Sequence, residues 1–139
     1  MKYICLVYNE DQKLDRLSEA EFARHVGECS AWVDELEAGG RHVFSAGLQS
    51  TRTAATVRIR DGSLMVTDGP FAETKEHLGG FTILEARDLN DAIQLAAILD
   101  VARVGTVEVR PLFDLDIEPT DPLDKKVAAA IRCLAVEMK

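Results

Sequence analysis

Apolar runs are short in this sequence and positive charge is scarce. The run from Tyr3 to Tyr8 is cut off by Asn9-Glu10-Asp11, too soon for a membrane span or the apolar part of a signal peptide. Sixteen Lys and Arg stand against 24 Asp and Glu, giving a net charge of -8 and a sequence pI of about 4.8. The phosphate attraction that dominates nucleic-acid binding then has the wrong sign, so neither nucleic acid nor an anionic membrane is expected as a partner. Cysteine is limited to Cys5, Cys29 and Cys133, odd in number, set in apolar surroundings and without disulfide or zinc spacing. A cytoplasmic location follows as the expectation. There is no Walker loop, no dinucleotide glycine fingerprint and no serine nucleophile elbow. His25, His42 and His77 are dispersed, with no i, i+4 pair among them, so neither a metal nor a cofactor is expected.

What is present suits one domain and a tail, since 139 residues are too few for two comfortable domains. Tyr3 to Tyr8 predicts a central first strand with both faces covered. Ser18-Glu19-Ala20-Glu21 is a capping box, with Leu17 and Phe22 placed as a hydrophobic staple. Phe22, Val26, Cys29, Val33 and Leu36 then follow at helical spacing, and Gly39-Gly40 supply the left-handed stop, so that stripe is expected on the sheet. His25 falls between the directions of Leu36 and Trp32, within the stripe. That place suits either a partly buried histidine with a backbone partner or a proton-transfer group.

Val43 to Gly47 reads as a second strand, and Gly47 to Thr53 as a polar connection with no chemistry of its own. Asp61-Gly62 is a two-residue hairpin turn that pairs Ile59 with Leu64, Val57 with Val66 and Ala55 with Asp68. Asp68 thereby shares a face with four aliphatic residues, and its carboxylate is expected on a covered side. Arg58 and Arg60 lie on the other face, as a solvated or intersubunit surface. Phe81 to Ala86 is a further strand, and Asp88 caps a helix with Leu89, Ala92, Ile93, Ala96 and Leu99 on one face. Val104-Gly105 turns the chain into the closing strand, Thr106 to Arg110. The order is an α+β, ferredoxin-like plan: an antiparallel sheet and two helices, with a hairpin insertion.

Residues 1–115 form the domain, and 116–139 an acidic linker and a C-terminal amphipathic helix. Asp121-Pro122 starts that helix, whose stripe is Leu123, Val127, Ile131, Leu134 and Met138. Such a helix needs a surface, either its own domain or a partner across a dimer.

Asp68 to Phe81, DGPFAETKEHLGGF, holds the densest set of turn-forming and ionisable residues between two strands. Asp68-Gly69-Pro70 must end a strand, and Gly79-Gly80 releases the chain into the next. A loop of this kind is either a plain crossover or the wall of a pocket. As a pocket wall it makes Asp68 and His25 the candidate catalytic groups, with Gly69, Pro70, Phe71, Glu73, Lys75, His77 and the helix residue Trp32 as candidate ligand contacts. An acid on a covered face either accepts loop amides or is desolvated, and a desolvated one can act as general acid or base.

TDGPFAETKE followed by GGF, together with Ser45-Ala46-Gly47-Leu48-Gln49, Gly105 to Pro111 and the opening Met1-Lys2-Tyr3 strand, resembles the DGPF-type branch of the YCII-related proteins. The resemblance runs from Met1 to about Leu115. It implies a ferredoxin-like domain of the dimeric α-β barrel type, and hence a homodimer. The helix histidine of some relatives falls near Cys29 or Ser30, where this chain has none. Members are often encoded beside, or fused to, extracytoplasmic-function sigma factors, so the resemblance implies a small-molecule-binding or accessory role with a sigma-factor partner. Lactone isomerases and a dehydrochlorinating relative in the same fold group imply the alternative, a cofactor-independent lyase or isomerase using Asp68, His25 or both.

Overall fold

Four strands pair antiparallel in the order β2-β5-β1-β6, with β1 at Lys2–Asn9, β2 at His42–Gly47, β5 at His77–Glu85 and β6 at Thr106–Pro111. This computed structural model describes residues 1–99, 105–114 and 116–135, without the side chains of 133–135. The expected residues Val104, Leu115 and Met138, and the side chain of Leu134, lie outside that range. Among the described residues there are four helices, α1 (Asp11–Asp15), α2 (Glu19–Ala38), α3 (Leu89–Ala97) and α4 (Pro122–Ala135). Two central strands flanked by the outer pair in this crossing order make an α+β architecture consistent with a ferredoxin-like fold.

Local signals set the helix ends. Ser18 Oγ accepts from Glu21 N at 3.2 Å while Glu21 Oε2 accepts from Ser18 N at 2.8 Å, closing the capping box. At the other end Gly40 takes φ 63°, and the amides of Gly40 and Arg41 donate to the carbonyls of Glu37 and Leu36. This is the Schellman arrangement, which favours glycine at that position. Asp88 Oδ1 accepts from Asp91 N, and Asp121 Oδ1 from Leu123 N and Asp124 N, so both expected aspartate caps form. The short α1 was not legible, because the side chain of its cap residue, Glu10, accepts no backbone amide of the first turn.

One face of the sheet carries the core. Tyr3, Cys5 and Leu84 are buried with Trp32 and Leu36 of α2 and with Ala92 and Ala96 of α3. Trp32 Nε1 donates to Leu95 O at 2.8 Å and ties the two helices side by side. Burial pushes the Cys5 thiol up to about 11, which removes it from thiolate chemistry. The buried Thr82 hydroxyl is matched by Ser45 Oγ at 2.8 Å, and Ser45 in turn by His42 Nε2 at 2.8 Å. That string answers the cost of burying a hydroxyl rather than building a site.

The opposite face is less covered than expected. Ile4 and Leu6 of β1 are only partly buried, and Phe44, which meets Phe81 with ring centroids 5.9 Å apart, is exposed. The first strand is central, as its apolar run implied, but the helices of its own chain cover one side of it. The stripe of α2 also differs from expectation: Trp32 and Leu36 are buried, whereas Phe22 and Val26 are exposed. A 20-residue helix runs about 30 Å, and only its C-terminal half is anchored in the core. In α3 the inward residues are Ala92 and Ala96, with Leu99 just beyond, while Leu89 and Ile93 stay exposed.

β3 (Ala55–Arg60) and β4 (Ser63–Asp68) pair only with each other, in the expected register from Arg60↔Ser63 to Ala55↔Asp68. Asp61 and Gly62 both take positive φ, as the two-residue turn requires. β5 begins at His77 and not at Phe81, so Gly79-Gly80 lie inside the strand instead of leading into it. Gly79 is the extra residue where the β1 pairing shifts, and a Cβ on Gly80 would stand 2.8 Å from Ala46 O of β2. Close approach of two backbones, rather than turn geometry, calls for glycine at 80.

Candidate ligand-binding site

A cavity of about 780 Å³ opens where β1 ends and β5 begins. Tyr8, His77 and Leu78 form its sheet side, Leu48 to Thr51 with Thr53 to Val57 form a second wall, and Pro70 to Ala72 with Thr74 and Glu76 form the third. The walls are held by short hydrogen bonds. Leu48 N donates to Gly79 O at 2.8 Å, fixing the exit from β2 beside β5. Ser50 O accepts from Thr53 Oγ1 at 2.8 Å, closing the 3-10 turn at Thr51–Thr53. Gly69 takes φ 93°, its amide donates to Ala54 O at 2.7 Å, and its carbonyl accepts from Thr56 Oγ1 at 2.8 Å. These bonds clamp the base of the hairpin and aim Pro70-Phe71 over the cavity.

The rest of the loop is pinned at both ends. Arg58 Nη2 reaches Phe71 O at 3.5 Å, so this arginine supports the loop from the hairpin face opposite the aliphatic residues. Thr74 Oγ1 donates to Glu76 O at 2.6 Å and lies 3.5 Å from His77 Nδ1. Glu76 Oε2 accepts from Thr106 Oγ1 at 2.9 Å, tying the loop to β6. Aliphatic and aromatic carbon dominates the lining, with Tyr8, Gln49, Glu76, His77 and several hydroxyls among its polar groups, and a volume of this order suits a small organic molecule. A second, polar cleft of about 490 Å³ lies across the 74–76 turn, lined by Tyr8, Glu10, Lys13, Thr74, Lys75 and Glu76.

The expected site residues are only partly brought together. Pro70, Phe71 and His77 line the larger cavity, Gly69 shapes it through its backbone, and Lys75 lines the polar cleft. Glu73 is exposed and lines neither. Trp32 sits in the core, 5% exposed, with its indole N–H committed to α3. His25 is on α2, 4.0 Å from Cys29 Sγ, and lines neither cavity.

The burial expected for Asp68 is corrected. Its pairing opposite Ala55 is as read, but it is exposed, as are Val57, Ile59, Leu64 and Val66 on the same face. Register fixes which face a strand residue takes and says nothing about whether that face is covered. The segment after Gly47 is the other correction: instead of a featureless connection it supplies a whole wall. Tyr8, Thr51 and Thr74 were likewise missed, since none belongs to a spacing that announces a site. Among the described residues, no cluster of three His, Cys, Asp or Glu side chains is arranged to hold a metal, and no helix is long and apolar enough to cross a membrane.

Sheet order and cavity together define an α+β domain, consistent with a ferredoxin-like fold, that carries a pocket at one end of its sheet. The chain belongs to the YCII-related family, whose domain matches residues 1–116. It is similar to an uncharacterized protein of Rhizobium meliloti (strain 1021), 38% identical over 114 residues, a match spanning 81% of this chain and 92% of that relative.

Proposed function

We propose that this YCII-related chain is a small-molecule-binding protein of the DGPF type, with the ligand lodged in the cavity beneath the Pro70–Leu78 segment. The observation that carries the reading is the cavity of about 780 Å³, walled by apolar side chains around Tyr8, Glu76 and His77. The test is a thermal-shift screen of metabolites against the wild type and against Ala55→Trp, which places an indole in the cavity from an exposed strand position. At least one compound is expected to raise the melting temperature of the wild type by several degrees and to leave Ala55→Trp unmoved. A screen that shifts neither protein, or both alike, overturns the reading. A second reading, proton transfer without a cofactor, is favoured by Glu76 and His77, adjacent in the chain and both lining the cavity, and it requires that the bound compound be turned over and that His77→Gln keep binding while losing turnover.

The protein is further proposed to act as a homodimer. Phe44, Phe81 and Ile83 on the side of the sheet away from α2 and α3, and Val57, Ile59, Leu64 and Val66 on the hairpin, leave apolar surface for a second copy. Sedimentation equilibrium is expected to give a dimer at micromolar concentration and a folded monomer for Phe44→Glu, whose ring is 53% exposed on the single chain. A monomeric wild type would count against this proposal.

A further inference from the structure

The polar cleft shares Tyr8, Thr74 and Glu76 with the larger cavity, so the two spaces adjoin at these residues. Their characters differ. The larger is mostly apolar, whereas the cleft holds two lysines and two glutamates. Three of those four charges are engaged: Lys13 Nζ lies 3.2 Å from Glu10 Oε2, and Glu76 Oε2 takes the Thr106 hydroxyl at 2.9 Å. Lys75 is exposed and has no ion pair among the described residues. In a chain of net charge -8, Lys75 thus leaves a cation without an ion pair in the cleft that adjoins the apolar cavity.

We infer that the two spaces form one elongated site for an amphipathic monoanion, its apolar body in the larger cavity and its carboxylate at Lys75. This rests on the binding reading above and narrows it to a ligand class. A single compact ammonium group suits one negative charge. A dianionic phosphate at the same place would face the carboxylates of Glu10 and Glu76, with one uncommitted cation to offset them. Glu76 and Tyr8, at the junction of the two spaces, are placed to meet the polar end of the ligand where it leaves the apolar cavity.

Isothermal titration of the full chain with 4-phenylbutyrate and with 4-phenyl-1-butanol tests this, because the two probes share an apolar body and differ in charge. The acid is expected to bind roughly tenfold more tightly than the alcohol, about the worth of one charge-assisted hydrogen bond. Lys75→Gln should erase that preference without weakening the alcohol, and Lys126→Gln, which removes a charge from α4 instead, should preserve it. Equal binding of acid and alcohol by the wild type overturns the monoanion assignment and leaves the apolar binding site standing. A preference that survives Lys75→Gln, or that is lost equally in Lys126→Gln, also overturns it. Binding of neither probe counts against the cavity reading itself.

Discussion

Leu84→Ala is expected to lower stability by about 2–5 kcal/mol, the range for removing a large aliphatic side chain from a packed core. Leu84 is fully buried on the central strand β5, paired with Tyr3 on one side and with His42 on the other. It packs in the cluster that joins the sheet to Trp32 and Leu36 of α2 and to Ala92 of α3. The neighbours cannot close the gap easily. Ala92 and Ala96 have no side chain to extend, and Trp32 is held by its bond to Leu95 O. A loss of this size is a large share of the roughly 5–15 kcal/mol that stabilises a typical domain. Urea titration should show a lower midpoint with an unchanged slope. A midpoint close to wild type would mean that the helices do not depend on β5 for their packing.

Asp91→Asn is expected to destabilise strongly at neutral pH and progressively less in acid. Asp91 is 8% exposed, and its carboxylate gathers the start of α3, the end of β5 and the exit from α2. Oδ2 accepts from Arg87 N at 3.0 Å, Arg87 Nε at 3.2 Å and Arg41 Nη1 at 2.9 Å, while Oδ1 accepts from Arg87 Nη2 at 3.0 Å. The hydrogen bonds from Arg87, with a further contribution from Arg41, hold this carboxyl well below the usual carboxylate range. A carboxyl whose folded value is depressed contributes stability that is fully present above its unfolded value of about 3.9 and is lost as pH falls through the folded one. The gap in melting temperature between wild type and Asp91→Asn should therefore be several degrees at pH 7 and narrow below about pH 4. A gap that stays constant with pH would show that shape, rather than charge, accounts for the effect. The variant leaves both cavities untouched, so compounds that bind there should still bind.

The resemblance carried by TDGPFAETKE led to the YCII-related family, and the loop it marks does border the cavity through Pro70, Phe71 and His77. The burial expected for Asp68 did not follow in the same way. Its alternation was read from a two-residue turn and is present in the pairing, yet burial on that face depends on what docks against it, and nothing in this chain does so among the described residues. Phe22 and Val26 repeat the lesson on α2. Their spacing is helical and their character apolar, but they lie on the half of the helix away from the core.

What the sequence by itself determined lies within one turn or one strand pair: the capping box at Ser18, the stop at Gly40, the caps at Asp88 and Asp121, and the hairpin register about Asp61-Gly62. Each is settled by hydrogen bonds or backbone torsions among residues a few positions apart, so the local order of residue types is sufficient. Tertiary structure alone decided which faces are covered and where the cavity lies. Its walls come from Tyr8, from 48–57 and from 70–78, stretches that meet only because β5 pairs with both β1 and β2 and because the hairpin base is clamped at Gly69. Long-range pairing leaves no period or spacing in the chain, and a pocket assembled from three separate segments cannot be read from any one of them.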